Sequence, residues 1–248
     1  MKQYLLICHL INLITTMKKL LLISCFTFIS AITFAQDFWS SSQNTVTFGI
    51  MGGSNAAFLQ AKLPAGSTVS NTPLYPGSLG INADFKFSDY LSVRPGIFYS
   101  GKGGDIQYIE SFAIEGIGSI PEDIDQQFKL NYLEIPVILI GHLPLSDNFN
   151  ILVGAGPYAA MYLNGKVTTT EGTSNPETDN LKSGKNGELK STDFGASALL
   201  GFETGRGIII DINYDIGLTN IIQNSNSSGT IQQLKTGTIY LSLGFAFK

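Results

Sequence analysis

The sequence predicts an all-β fold: an eight-stranded antiparallel up-and-down transmembrane β-barrel, preceded by a cleaved signal peptide. Three observations predict it. Large apolar side chains alternate with small or polar ones over long segments, charged residues make up only 14% of the chain, and short and long connections alternate strictly. Soluble domains carry about 25% charged residues, so this chain has too few charges to cover its surface and must shield apolar surface from water in another way. No apolar run after residue 35 is long enough for a helix that spans a membrane.

The N-terminus has the three parts of a signal peptide. Lys18 and Lys19 precede an apolar stretch over residues 20–34, and Ala35 is a small residue at the end of it. We therefore predict cleavage after Ala35, with translation starting at Met17 rather than Met1. The expected organisation is a leader over residues 1–35, a short periplasmic segment over residues 36–44 and a barrel over residues 45–248.

Both cysteines, Cys8 and Cys25, lie in this leader. Cys25 follows Leu22-Ile23-Ser24, which resembles a lipobox, so lipidation at Cys25 is an alternative to simple cleavage, as is an uncleaved anchor helix. The chain after residue 35 has no cysteine, which excludes disulfides and thiolate metal sites there.

The alternation is clearest in the last two predicted strands. Over residues 238–247 the odd positions, from Ile239 to Phe247, are large and apolar, and the even positions are small or polar. Over residues 208–218 the even positions are Ile, Tyr or Leu, whereas Asp211, Asn213 and Asp215 share the other face. A period of two places these sets on opposite faces of a strand, whereas a helix would scatter them.

Six further segments show the same alternation with less contrast. The eight predicted strands cover residues 45–59, 78–87, 91–102, 127–143, 149–163, 192–203, 207–218 and 236–247. Most exceed the five or six residues of soluble strands and suit a tilted membrane span of about 9–11 residues. Pro95, Pro136 and Pro157 lie inside these segments, so we expect a bulge or strand end at each, or a boundary displaced by a few residues.

The connections predict which environment surrounds the barrel. Short turns at residues 88–90, 145–148 and 204–206 alternate with long polar loops at residues 60–77, 103–126, 164–191 and 219–235. Outer-membrane barrels have short periplasmic turns and longer outer loops. We therefore expect outer-membrane lipid around the barrel, and contact with other envelope proteins through the four extracellular loops.

Charged residues fall on the face opposite the apolar one. An eight-stranded barrel encloses little more than its own side chains, and an uncompensated buried ion costs several kcal/mol. The sequence therefore predicts a lumen filled by charges that pair with each other: Asp84, Lys86, Arg94, Glu134, Glu203, Asp211 and Asp215.

The same residues predict no catalytic, cofactor-binding or metal site, and therefore no enzyme. His142 is the one histidine after residue 35, and we interpret it as an exposed residue at the rim by a short turn. Asp211 and Asp215 form a carboxylate pair on one strand face, which a lumenal network explains more simply than acid–base catalysis. A pI of about 5.1 argues against nucleic acid as a partner.

Three segments carry recognisable motifs. Residues 132–137 read YLEIPV, residues 91–100 read LSVRPGIFYS and residues 152–158 read LVGAGPY. In order along the chain they resemble strands of the porin-like PorT family of outer-membrane β-barrels from Bacteroidetes, over about residues 45–248. The resemblance implies an integral outer-membrane barrel and no catalytic or binding residue. Arg94, Glu134 and Pro136 match the family pattern as lumen and strand features.

Three functional classes remain open. We favour a structural or interaction barrel that is not an open pore, because eight strands enclose too narrow a lumen. The PorT resemblance implies an alternative, an accessory role in protein secretion or outer-membrane assembly. A second alternative is a soluble lipocalin-like carrier, in which the apolar face would line a cup for an apolar ligand and the charges would face water.

Overall fold

Over the residues that the computed structural model describes, the chain forms ten strands, which include the eight alternating segments. The chain divides into two units, Met1–Asn44 and Thr45–Lys248. The structure describes residues 46–63, 69–114, 118–172, 174–185, 187–223 and 231–247, so the predicted leader and periplasmic segment lie outside the described residues. The strands are β1 (Val46–Lys62), β2 (Val69–Thr72), β3 (Gly77–Ser88), β4 (Leu91–Ile114), β5 (Gly118–Ser146), β6 (Phe149–Glu171), β7 (Glu177–Leu181), β8 (Thr192–Thr204), β9 (Ile208–Gly217) and β10 (Gln233–Phe247). Among the described residues, no helix is long and apolar enough to cross a membrane.

Eight of the ten strands close into a ring. The ring runs β1, β3, β4, β5, β6, β8, β9 and β10, each antiparallel to the next, and the pairing of β10 with β1 completes it. β2 and β7 are short additional strands that pair with β4 and β6. The predicted eight-stranded antiparallel barrel is therefore confirmed. Tight turns join its strands at one end, the short-turn end, and longer segments join them at the other, the long-hairpin end.

Two segments that we predicted as long loops are largely strand. β4 and β5 stay paired from Asp105 opposite Gln127 to Ile114 opposite Gly118, so the loop prediction over residues 103–126 is wrong. β6 continues to Glu171 and pairs with β7 inside the predicted loop over residues 164–191. The reason is that the polarity of the two strand faces is exchanged there: the inward residues Ile106 and Tyr108 are apolar and buried, whereas the outward residue Gln107 is polar. This pattern suits strands that face water instead of lipid.

The three prolines lie within strands and end none of them. Pro95 stands opposite Val137, and the ladder between β4 and β5 then skips two positions. Pro136 stands opposite Tyr158, and the ladder between β5 and β6 also skips two positions after it. Proline removes one N–H donor, so the ladder is interrupted locally while the strands continue.

An apolar belt surrounds the ring on its outer face. Every ring strand contributes large apolar side chains to it, and one from each strand, with exposure between 45% and 59%, is Ile50, Ile81, Ile97, Leu139, Val153, Leu200, Ile212 and Leu241. Water would oppose such a continuous apolar surface, whereas lipid favours it. The soluble lipocalin-like alternative required these residues to line the interior, so its face assignment is wrong.

Candidate functional site

The interior of the ring holds the ionisable residues. Six of the seven predicted lumen residues are at most 5% exposed: Asp84, Arg94, Glu134, Glu203, Asp211 and Asp215. Lys86 is half-buried. These side chains lie on strands β3, β4, β5, β8 and β9, so the closed ring brings them together although they are far apart in sequence. The structure sorts most of them into two networks.

The first network surrounds Lys102 on β4. Lys102 Nζ lies 2.6 Å from Glu134 Oε2, 3.8 Å from Asp215 Oδ2 and 4.0 Å from the ring centroid of Tyr158. The hydroxyl of Tyr240 donates to Glu134 Oε2 at 3.4 Å. One cation thus sits between two carboxylates and over an aromatic ring, which compensates part of the cost of its burial.

The Lys102 network extends to residues that accept or donate hydrogen bonds beside it. Ser197 Oγ donates to Asp215 Oδ1 at 2.5 Å. Asp193, which is fully buried, accepts from Thr236 Oγ1 at 2.7 Å and from the Tyr158 hydroxyl at 3.3 Å. Each buried carboxylate therefore has hydroxyl donors, as buried charges require.

Our sequence reasoning missed Lys102 and Asp193. Lys102 shares the even-numbered face of β4 with Arg94, and Asp193 shares the odd-numbered face of β8 with Glu203. Residue parity within each strand would have placed both in the lumen. We missed them because both lie at ends of the predicted strands, where a boundary error of a few residues changes the expected environment.

The second network lies nearer the short-turn end. Arg94 donates to Asp84 Oδ2 from Nε at 3.0 Å and from Nη2 at 2.5 Å. His142 Nε2 lies 2.7 Å from Ser92 Oγ, and His142 Nδ1 lies 3.7 Å from Glu203 Oε2. His142 is only 1% exposed, so our prediction of an exposed rim residue is wrong. β5 continues to Ser146, which places His142 inside the barrel rather than at its edge.

Ser92, His142 and Glu203 stand in the order of a nucleophile, a base and an acid. Nucleophilic catalysis also requires that a substrate carbonyl reach the hydroxyl. Ser92 is 0% exposed, and the lumenal cavity described next does not include it. The arrangement therefore gives the buried imidazole one hydrogen bond, to Ser92, and a carboxylate nearby within the lumen.

A small cavity of about 50 Å³ lies in the lumen. Its lining includes Arg94, Glu134, Asp211 and Tyr240 and apolar side chains such as Ile138. The volume accommodates a few water molecules, to which Arg94, Glu134, Asp211 and Tyr240 offer hydrogen-bonding groups. Apolar side chains also pack in this part of the lumen: Met51 and Leu199, which line the cavity, are buried together with Ile140, Leu152 and Ile209. The inner face is therefore less uniformly polar than the sequence predicted.

An apolar cap fills the lumen at the long-hairpin end. We define it as Ile106, Tyr108, Ile124, Phe128, Leu130, Leu189, Ile221 and Leu234, all of them buried. Leu189 and Ile221 come from connections, not from ring strands, and an antiparallel bridge joins Leu189 to Ile222. The ring is thus closed by buried ion pairs in its middle and by an apolar cluster at this end.

The connection that supplies Leu189 is held by its own hydrogen bonds. Leu189 N donates to Lys182 O at 3.1 Å, and Lys190 N donates to Ile221 O at 2.7 Å. The backbone N–H of Lys182 donates to Glu188 Oε2 at 2.8 Å, which lowers the pKa of this exposed carboxyl below its usual value. Within the described ranges, no group of three or more His, Cys, Asp or Glu side chains is arranged to hold a metal ion.

Comparisons with known proteins show that the chain matches one protein family and is similar to several solved outer-membrane proteins. The sequence matches the outer membrane protein beta-barrel domain family over residues 34–223. A search of curated proteins gave no match. Among solved structures, Ail, the attachment invasion locus protein of Yersinia pestis, is 13% identical, with 81% of this chain and 98% of that chain covered and a TM-score of 0.38. OprG of Pseudomonas aeruginosa (16%, 82% and 97%, TM-score 0.40) and Neisserial surface protein A (14%, 82% and 99%, TM-score 0.41) are also similar.

Proposed function

Because the chain belongs to the outer membrane protein beta-barrel domain family, we propose that it is an integral barrel that displays its long hairpins at the cell exterior and conducts no solute. The observation that carries this proposal is the closed lumen. Lys102 has no exposed side-chain surface, and the apolar cap covers the lumen beyond it. The proposal includes no catalytic activity, which the burial of Ser92 supports.

Opening this lumen to ions would require separating buried charges. Lys102 would have to leave Glu134, or the apolar cap would have to leave the ring, and each step exposes groups that now stabilise one another. Breaking a buried ion pair costs about 3–5 kcal/mol. A structural or interaction role therefore fits the interior better than transport does.

The hairpins supply the surface for interaction. β4, β5 and β6 contain 24, 29 and 23 residues, whereas a membrane span requires about 9–11. On β4, the apolar belt ends near Tyr99, and the strand continues for 15 residues to Ile114, about 50 Å along its axis. The strands that continue beyond the belt form a sheet outside the lipid, and partner proteins can bind to such a sheet through backbone edges and outward side chains.

Conductance measurement tests the closed lumen. The protein, refolded and inserted into planar lipid bilayers, should show no discrete current steps above the bilayer background. Migration on a denaturing gel with and without boiling shows in parallel that the inserted protein is a folded barrel. Steady single-channel steps from the heat-shifted species would overturn the non-pore proposal.

Cysteine labelling in intact cells tests which end faces outward. Gln107 is exposed beyond the belt at the long-hairpin end, and Asp147 is exposed at the short-turn end. A membrane-impermeant maleimide should label Gln107→Cys in intact cells and Asp147→Cys only after lysis, with the wild-type chain giving the background. The reverse pattern would overturn the proposed orientation.

An accessory role in protein secretion is the second candidate. It is favoured by the resemblance of residues 132–137 and 152–158 to strands of PorT-like barrels. Deleting the gene should then reduce the amount of exported protein in the culture medium, and the wild-type gene should restore it. An unchanged set of secreted proteins in the deletion strain would exclude this candidate and leave the interaction role.

A further inference from the structure

Two lysines face each other on the outer surface of the barrel. Lys129 on β5 is paired directly with Lys166 on β6, and both side chains are exposed. Like charges at directly opposite positions destabilise an antiparallel pair, since their Cβ atoms are about 5 Å apart. Among the residues that the structure describes, no carboxylate forms an ion pair with either lysine. An anion from outside the barrel wall would offset the repulsion between the two lysines.

A β-bulge puts the second lysine on this face. Below the bulge, odd-numbered residues of β6 such as Met161 face outward, and Tyr162 faces the interior. The pairing then shifts, since Tyr132 stands opposite Tyr162 and Asn131 opposite Asn164, which leaves Leu163 as the extra residue. Without this shift Lys166 would face the lumen. The bulge thus brings Lys166 beside Lys129.

The lysine pair lies just beyond the apolar belt. Toward the short-turn end, the next outward pair is Asn131 and Asn164, joined by a hydrogen bond of 2.9 Å, and Leu133 and Met161 follow in the belt. Lys129 and Leu133 are four positions apart, which corresponds to about 13 Å along the strand and about 10 Å along the membrane normal at the usual tilt. Lysine side chains extend toward the headgroup level from such positions.

The residues that stand directly opposite the two lysines on the flanking strands carry no negative charge. Gly103 stands opposite Lys129 on one side, and Asn180 stands opposite Lys166 on the other. Asp105, two residues further from the belt along β4, is paired with Gln127 instead. Two exposed ammonium groups, with the amide groups of the next outward pair beside them, match the oxygens of a phosphate.

We propose that Lys129 and Lys166 bind a phosphate group on the headgroup of an outer-leaflet lipid. The proposal deepens the proposed function and rests on it for the orientation of the long-hairpin end. The lipid, rather than a soluble phosphate compound, is the source that the position at the edge of the apolar belt favours. Bound phosphate would neutralise the repulsion within the pair and fix the depth of the barrel in the membrane.

Binding of lipid A to the barrel in phosphatidylcholine nanodiscs tests the proposal. Diphosphorylated lipid A should bind the Lys129→Met/Lys166→Met variant about tenfold more weakly than the wild type, since each lysine near a membrane surface contributes to anion binding. The Lys182→Met/Lys185→Met variant removes the same charge from an exposed connection and should bind within about twofold of the wild type. A Lys129→Arg/Lys166→Arg variant should retain binding.

Three results would overturn the proposal. The first is equal lipid A binding by the Lys129→Met/Lys166→Met variant and the wild type. The second is that the Lys182→Met/Lys185→Met variant weakens lipid A binding by the same factor. The third is displacement of lipid A by inorganic phosphate at matched concentration, because free phosphate would then be the ligand. Retention of the heat-dependent gel shift shows that each variant is folded. Nanodisc binding does not depend on cellular orientation, so a failure of the cysteine-labelling test and a failure of this test remain distinguishable.

Discussion

At the scale of single residues, the most informative side chain is Lys102. Burying an ammonium group costs several kcal/mol, and the barrel offsets that cost with Glu134 at 2.6 Å and the ring of Tyr158 at 4.0 Å. The same lysine offsets the carboxylates that the ring brings together around it. Removing it leaves Glu134 and Asp215 without a cation in their network.

The Lys102→Met variant should therefore be markedly less stable than the wild type. Loss of one partner of a buried ion pair costs about 3–5 kcal/mol. Urea unfolding in lipid vesicles, followed by circular dichroism and the gel shift, measures the change in the free energy of unfolding. Lys166→Met, which removes an exposed lysine, should change it by less than about 0.5 kcal/mol. Equal stability of the two variants would show that the Lys102 network does not hold the barrel closed.

A second residue with a specific structural role is Gly103. Its φ of +132° lies in a region that side chains rarely adopt, and a Cβ there would lie 1.9 Å from the carbonyl oxygen of Phe128. Gly103→Ala should lower the free energy of unfolding by about 1–3 kcal/mol because the backbone must move. Gly141→Ala is the matched control, since its Cβ would lie 3.6 Å from the nearest atom. A control variant destabilised as much as Gly103→Ala would refute this account.

At the scale of elements, the sequence predicts strands well where lipid contacts them and poorly beyond. Residues 208–218 and 238–247 alternate with strong contrast because one face contacts lipid, and β9 and β10 lie there. Beyond the belt, β4 and β5 expose Gln107 outward and bury Tyr108 inward, so the contrast inverts. A strand segment with polar outward residues is therefore easily predicted as a loop, because a strand in lipid is expected to have apolar outward residues.

The residues of the lumen could be predicted from the sequence, but their contacts could not. Parity along a strand assigns Glu134 and Asp215 to the interior, but it does not reveal which charges meet, because Lys102 reaches both only after β4, β5 and β9 close into one ring. The position of His142 depended on where β5 ends, and strand ends are set by tertiary pairing that local sequence does not encode.

One element at the long-hairpin end should respond to pH. The pKa of Glu188 is lowered by the hydrogen bond from the Lys182 N–H, so its contribution is present above the ordinary carboxyl pKa and is lost as the pH falls through the lowered value. In Glu188→Gln, the amides of Leu189 and Lys190 should exchange about two to five times faster than in the wild type at pH 7. The two proteins should exchange alike at a pH below the lowered pKa of Glu188, where the wild-type carboxyl is protonated. A difference of the same size at both pH values would contradict this explanation.

At the scale of the whole molecule, the barrel has two regions with opposite faces. Around the apolar belt, charged side chains lie inside and apolar ones outside, whereas beyond the belt the apolar cap lies inside and polar side chains lie outside. A single ring of strands thus passes from lipid to water by inverting its alternation. The closed interior then acts as a support for the hairpins rather than as a path.

This division predicts that the tip of the β4–β5 hairpin is dispensable for the barrel. In the part of the chain that the structure describes, residues 109–123 pair within the hairpin except at its base, where Asp123 O accepts from Gly172 N at 2.8 Å, whereas Tyr108 still pairs with Val69 on β2. Replacing residues 109–123 by Asn-Gly, which forms the tight turn that joins Tyr108 to Ile124, should leave the heat-dependent gel shift intact.

The melting temperature of that variant should change by less than about 2 °C, since no contact that closes the lumen is removed. Deleting Lys182 to Lys190, which includes Leu189 of the apolar cap, should lower it by considerably more. If the tip deletion instead abolished the gel shift, the hairpin would be part of the barrel's folding unit. The division of the molecule into a closed barrel that acts as a support and hairpins that it displays would then be wrong.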